Sequence, residues 1–153
     1  MEFAEVVRIN RALVKTAKLY RTLQSGLLAQ LELHAGQDAL LHTLAQEPDG
    51  LVVSEIAARL GIEPPTVTRS LDRLERGGWI TREPAAGDRR AVRIRPTSRA
   101  IEVVARIEEV WRDMARSLTS ELDERERAQL VALLERCREG LRTRVAEHSP
   151  AEP

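Results

Sequence analysis

The side chains best placed to do chemistry are arginines, and many of them lie in one stretch. "GIEPPTVTRSLDRLERGG", Gly61 to Gly78, runs two adjacent prolines into a helical pattern that carries Arg69, Arg73 and Arg76. At the helical period of about 100° per residue, Val67, Leu71 and Leu74 fall within about 60° of one another and face inward. The opposite direction is held by Pro65, Arg69, Arg73 and Arg76, with Asp72 beside them and Thr66 and Thr68 on the flanks. A guanidinium fork grips O6 and N7 of guanine or pairs with phosphate, and threonine touches phosphate or a thymine methyl group. Arg69, near the helix start and pointing straight out, is the first choice for base reading. Arg73 and Arg76, further along, are expected on phosphates. An arginine face alone is more often just solvated, so its setting has to carry the reading.

That setting includes a second basic cluster, "GDRRAVRIR", Gly87 to Arg95. Asp88, two residues before Arg90, can accept a hydrogen bond from that guanidinium and hold it extended towards a narrow minor groove. By itself such a surface pair is worth little. With Arg89, Arg93 and Arg95 adjacent, the cluster is expected to contact double-stranded DNA.

The elements that must position these groups can be read next. The residue before a proline is pushed towards extended backbone, whereas proline suits the first helical position. The arginine helix is therefore expected to begin at Pro65 and to stop at Gly77-Gly78. "SEIAARLG" precedes it as a helix, with Ser54 as N-cap and a further DNA-facing candidate, and Ile56, Ala57 and Leu60 on one face. The spacing Ala57, Gly61, Val67 fits a helix-turn-helix: a small residue for close approach, glycine for the turn, valine for the joint. Upstream, "AGQDALLHTLAQEPDG" reads as a short helix ending in a Pro-Asp-Gly turn. Downstream, Trp79-Ile80 and Val92/Ile94 suggest two strands joined by "PAAG". Helix, helix, helix, hairpin is the order of a winged helix-turn-helix.

Both ends of the chain carry long helical stripes. Val6, Ile9, Leu13, Thr16, Tyr20, Leu23 and Leu27 recur at steps of three and four, as do Val104, Ile107, Trp111, Met114 and Leu118, and then Leu130, Leu134, Cys137, Leu141 and Val145. Asp123 with Glu126 three residues on forms a capping box for the last helix. Too little chain remains to cover these stripes, so a second copy is expected to do so in a homodimer; an intramolecular bundle is the alternative. The fold class is thus mainly α with a small β-hairpin wing. Residues 1–34 form an N-terminal dimerisation helix, 35–99 a winged helix-turn-helix domain, 100–147 C-terminal dimerisation helices and 148–153 a disordered tail.

Composition narrows the function further. The chain has 153 residues, is 42% hydrophobic and 31% charged, and carries zero net charge. The average hides a basic centre: Ser54 to Arg99 holds ten arginines against six acids. No apolar run approaches the ~20 residues of a membrane span, and the N-terminus lacks the basic-then-apolar layout of a signal peptide. A single cysteine, Cys137, excludes an internal disulfide and fits a reducing cytoplasm. His34, His42 and His148 are dispersed, and there is no nucleophile motif or phosphate-cradling loop, so neither enzyme activity nor a cofactor is expected.

The run "SEIAARLGIEPPTVTRSLDRLERGGWITREPAAGDRRAVRIRPT" resembles the winged-helix core of the MarR family of bacterial transcriptional regulators. The family's hairpin signature, Asp-x-Arg followed by Leu-Thr-x-x-Gly, is matched by Asp88-Arg89-Arg90 and Thr97. Pro96 stands where leucine is usual and Ala100 where glycine is frequent, departures that bear on how the wing joins the next helix. The resemblance implies a homodimer on a pseudo-palindromic operator, usually a repressor. It also implies release by a small, often aromatic or phenolic, effector held between the dimerisation helices and the winged domain. Tyr20, Leu27, Leu31, His34 and His42 are the candidates for such a pocket, with core packing as the competing role. Two other branches of the fold remain open. Glu32, His34 and His42 offer zinc-ligand chemistry at a spacing that matches no established pattern. Cys137 offers oxidant sensing, although its place on an apolar stripe reads as a small core residue. A constitutive architectural or interaction dimer without ligand is the alternative of another class.

Overall fold

The computed structural model describes residues 1–85 and 88–148, without the side chains of 85, 88–91, 146 and 148. Its elements run α1 (Phe3–Ala29), α2 (Gln37–Ala45), β1 (Leu51–Val52), α3 (Val53–Leu60), α4 (Pro64–Arg76), β2 (Ile80–Ala85), β3 (Asp88–Pro96), α5 (Ser98–Leu118) and α6 (Glu124–His148). This is a mainly helical winged-helix fold. The chain divides into two compact units, Met1–Met114 and Ala115–Pro153, with α5 running through the boundary. Of the expected tail, residues 149–153 lie outside the described residues.

The core of the first unit is built where the sequence places its apolar periods. Leu40, Leu41 and Leu44 of α2, Ile56 of α3, and Val67, Leu71 and Leu74 of α4 are all essentially inaccessible to solvent. Each such side chain contributes about 1.5–3 kcal/mol relative to exposure. Ala100, Val103, Ile107, Val110 and Met114 of α5 close the same core. The expected α5 stripe therefore needs correcting: Val104 and Trp111 are only half-buried and Leu118 is exposed, because the buried seam is phased from Ala100. Ala100 fits there without solvent contact.

The wing is a three-stranded antiparallel sheet in the order β1-β3-β2. Strand β1 is an addition to the two expected strands, and it pairs Leu51 with Ile94 and Val52 with Arg93. Gly50 makes the approach possible: at φ +82°, an added Cβ there would lie 2.5 Å from the Ile94 carbonyl oxygen. At the base of the wing, the Thr97 hydroxyl lies 3.0 Å from both the Gly78 and Trp79 carbonyls, to which it can donate. Its oxygen also accepts from the Ala100 N–H, capping α5.

Two helix starts differ from expectation. The cap of α3 is Val52, and Ser54 lies inside the first turn, because the Glu55 carboxylate reaches back to the Val52 N–H at 2.9 Å. Helix α4 begins at Pro64, with Glu63 extended at φ −69°, ψ 140°. Since the first four N–H groups of a helix need no intrahelical acceptor, both prolines fit its first turn. The turn between the two helices is the expected one: Gly61 adopts φ +64°, a left-handed conformation that suits glycine.

The second unit is held locally. Asp123 Oδ1 accepts from the Glu126 N–H at 2.8 Å, and Glu126 Oε2 accepts from the Asp123 N–H at 2.9 Å, the reciprocal capping box expected for α6. Beyond it Leu134, Leu141 and Val145 are exposed, and so is Cys137, which is not a core residue within the protomer. Helix α1 in the first unit likewise exposes Ile9, Leu13, Tyr20 and Leu23.

Candidate nucleic-acid interface

Helix α4 presents two unlike faces. With Val67, Leu71 and Leu74 fully buried, the helix cannot rotate, and Pro65, Thr66, Thr68, Arg69, Arg73 and Arg76 are left exposed on its outer side. Arg69 and Arg73 make no hydrogen bond or ion pair among the described residues. The Arg76 Nε donates to the Asp72 carbonyl at 3.1 Å, and the Thr68 hydroxyl donates to the Pro64 carbonyl at 3.0 Å. Ser54 is exposed in the first turn of α3.

The wing divides its arginines between surface and scaffold. Arg93 is half-buried, and its Nη1 donates to the Gly50 carbonyl at 2.7 Å, so its charge is engaged in closing the β1 turn. Arg95 Nε lies 3.3 Å from Glu83 Oε2. The backbone of Asp88, Arg89 and Arg90 belongs to β3; their side chains, including the expected Asp88–Arg90 hydrogen bond, lie outside the described residues.

Two arginines outside the expected DNA-facing set organise the surroundings. Arg82 of β2 places Nη2 at 2.5 Å from Asp72 and Nη1 at 3.0 Å from Glu75, joining the wing to both carboxylates of α4. Arg99 of α5 lies 3.8 Å above the Trp79 ring, donates to the Gly77 carbonyl at 2.9 Å and pairs with Glu32. It ties the turn after α1 to the end of α4. Neither could be found by periodicity, because their partners lie on other elements. Glu32 itself stands at φ +59°, an uncommon conformation for a side-chain-bearing residue.

The effector candidates differ in their surroundings. Tyr20 is exposed on α1, His34 is exposed, and Leu27 packs on the core. His42 stacks obliquely on Trp111 with centroids 4.7 Å apart and points Nε2 at Glu108, 3.7 Å away. Of these candidates, Leu31 lines an open cleft of about 430 Å³ that also borders Trp79, Arg99, Glu102 and Arg106. Among the described residues no three metal-capable side chains converge, and the Glu32 carboxylate engages Arg99. Beside this region Asp38, almost fully buried, accepts from Trp111 Nε1 at 2.7 Å, the Gly36 N–H at 2.9 Å and Gln24 Nε2 at 3.2 Å, linking α1, α2 and α5. No helix among the described residues is long and apolar enough to cross a membrane.

A family model described as the MarR family matches residues 24–91. The chain is similar in structure to the transcriptional regulator SlyA, with 26% identity, a TM-score of 0.76, and coverage of 87% of this chain and 93% of that one. It is also similar to MepR of S. aureus in a DNA complex, with 26% identity, a TM-score of 0.75, and coverage of 92% and 98%. A cysteine-to-serine mutant of MarR from E. coli, complexed with operator DNA, matches at 25% identity with a TM-score of 0.77 and coverage of 90% and 98%. The matched segment spans the whole helix-turn-helix and much of the wing, so over that segment the chain is similar to the MarR family of transcriptional regulators, and it shares its fold with these solved structures.

Proposed function

We propose that this chain acts in the cytoplasm as a homodimeric repressor that lays two copies of α4 into successive major grooves of a pseudo-palindromic operator. The observation that carries the reading is the pair Arg69 and Arg73, exposed and without a partner among the described residues on a helix whose inner face is fully buried. Arg69 reads a base edge, with Pro65, Thr66 and Thr68 fitting the helix start to the groove, while Arg73 and Arg76 hold phosphates. Arg89 and Arg90 of the wing approach the minor groove, steadied by Asp88, and Ser54 supports the backbone contact. Arg93 contributes least, since its guanidinium is already spent on Gly50. The operator complex of a MarR mutant and the DNA complex of MepR support this placement by similarity.

A second copy covers the exposed stripes of α1 and α6. Residues 1–34 and 100–147 then serve assembly, and 35–99 serve DNA. A small aromatic or phenolic effector that binds beside Leu31 and shifts the α1–α2 region relative to α4 releases the operator. Footprinting of the dimer on genomic fragments tests the reading. Two half-sites about one helical turn apart are expected, with protection lost on adding the effector. Binding that ignores sequence at every salt concentration overturns it.

A further inference from the structure

We propose that Arg82 is a charge-masking residue of the DNA interface, holding both carboxylates of α4 so that this helix offers only its arginines to DNA. The inference rests on the reading that α4 lies against DNA, and goes beyond it by assigning a task to a residue on the wing.

Helix α4 carries Arg69, Arg73 and Arg76 but also Asp72 and Glu75. By helical period, Asp72 lies about 60° from Arg69 and about 40° from Arg76, well within the outward face. Left free, it has partners at ideal spacing, Arg69 at i−3 and Arg76 at i+4. An unmasked Asp72 would thus act twice against binding, by drawing the base-reading guanidinium back to the helix and by facing phosphates with a negative charge. Glu75, on the flank, adds to the second effect.

The structure engages both carboxylates with one side chain. Arg82 sits on β2, opposite Ile94 in the ladder, and reaches across to α4. Its Nη2 takes Asp72 at 2.5 Å and its Nη1 takes Glu75 at 3.0 Å, so both ends of the planar fork are used. In the same structure Arg69 and Arg73 are without partners among the described residues. As a surface pair the contact adds little to folding. Its consequence lies in what the helix shows to a polyanion.

The test is a double-mutant cycle read by binding to a mixed-sequence DNA duplex long enough for both copies of α4, across a salt series. Four proteins enter it: the full wild-type chain, Arg82→Ala, Asp72→Asn/Glu75→Gln, and the combination. Arg82→Ala is expected to weaken binding about fivefold at low salt, from two carboxylates brought within several ångströms of phosphates. In the neutral Asp72→Asn/Glu75→Gln background the same substitution is expected to change affinity less than twofold. That background is itself expected to bind at least as tightly as wild type, a readout that stands even if Arg82→Ala folds poorly. An equal loss in both backgrounds, with the salt slope reduced by about one per half-site, would place Arg82 on a phosphate and overturn the proposal. Weaker binding by Asp72→Asn/Glu75→Gln would overturn it too. Arg73→Ala, expected to weaken binding to every sequence, runs alongside as the control: if it does not, the placement of α4 on DNA fails. If it does weaken binding and the cycle is additive, only the masking role fails.

Discussion

Replacing Arg69 with alanine removes a guanidinium that is not engaged by any side chain or backbone group among the described residues. The side chain is exposed, has no intramolecular partner among the described residues, and projects opposite the buried Val67, Leu71 and Leu74. Folding stability is therefore expected to move by less than about 0.5 kcal/mol, as for other surface substitutions. Among the described residues no ion pair of Arg69 has to be broken on binding, so none there offsets the loss of the DNA contact. A bidentate arginine–guanine pair discriminates by about 1–3 kcal/mol, and the symmetric dimer loses it in both half-sites. Per half-site that is about 5- to 150-fold in affinity. Arg73→Ala is expected to weaken all sequences alike and to reduce the salt slope by about one per half-site. Fluorescence anisotropy titrations of wild type and both variants, against the footprinted operator mutated at each position and against a mixed-sequence duplex, measure the difference. The Arg69 variant should lose its preference at one symmetric position while keeping its non-specific affinity. Equal losses on specific and non-specific DNA would refute the assignment and move Arg69 to the phosphates.

Further outcomes follow from other parts of the chain. Arg90→Ala is expected to lower operator affinity and its salt dependence, and Asp88→Ala to do so less, in the same titrations; unchanged affinity for both across the salt series would remove the wing from the interface. Deleting the first 25 residues should convert a dimer at micromolar concentration into an aggregating or unstable monomer, and sedimentation of a stable, monodisperse full-length monomer would contradict the assembly. Asp38→Ala strands the Trp111 and Gly36 N–H donors and should cost about 2–4 kcal/mol in urea unfolding, with altered Trp111 fluorescence. A cost under about 0.5 kcal/mol, typical of a free surface position, would show that the three bonds do not hold α1, α2 and α5 together.

What the sequence by itself determined were the features written in local periods. The inward face of α4, the glycine turn at Gly61, the hairpin that follows Gly77-Gly78 and the Asp123–Glu126 capping box all depend on residues within a few positions of one another. Each can therefore be read along the chain, and the arginines of α4 were legible as an outward face for the same reason. Tertiary structure alone decided the pairings that join distant segments. Strand β1 has only two residues and exists because Leu51 and Val52 meet Ile94 and Arg93 some forty positions on. Ser54 lost the cap of α3 because Glu55 reached Val52 first. The buried seam of α5 was set by which side of the helix met the α2–α4 core, shifting it towards Ala100, Val103 and Val110. The same physics sorted the arginines. Charge and spacing make Arg69, Arg82, Arg93 and Arg99 look alike in a sequence. Only the folded chain brings carboxylates to Arg82, a carbonyl to Arg93 and an indole to Arg99, while Arg69 meets no partner among the described residues.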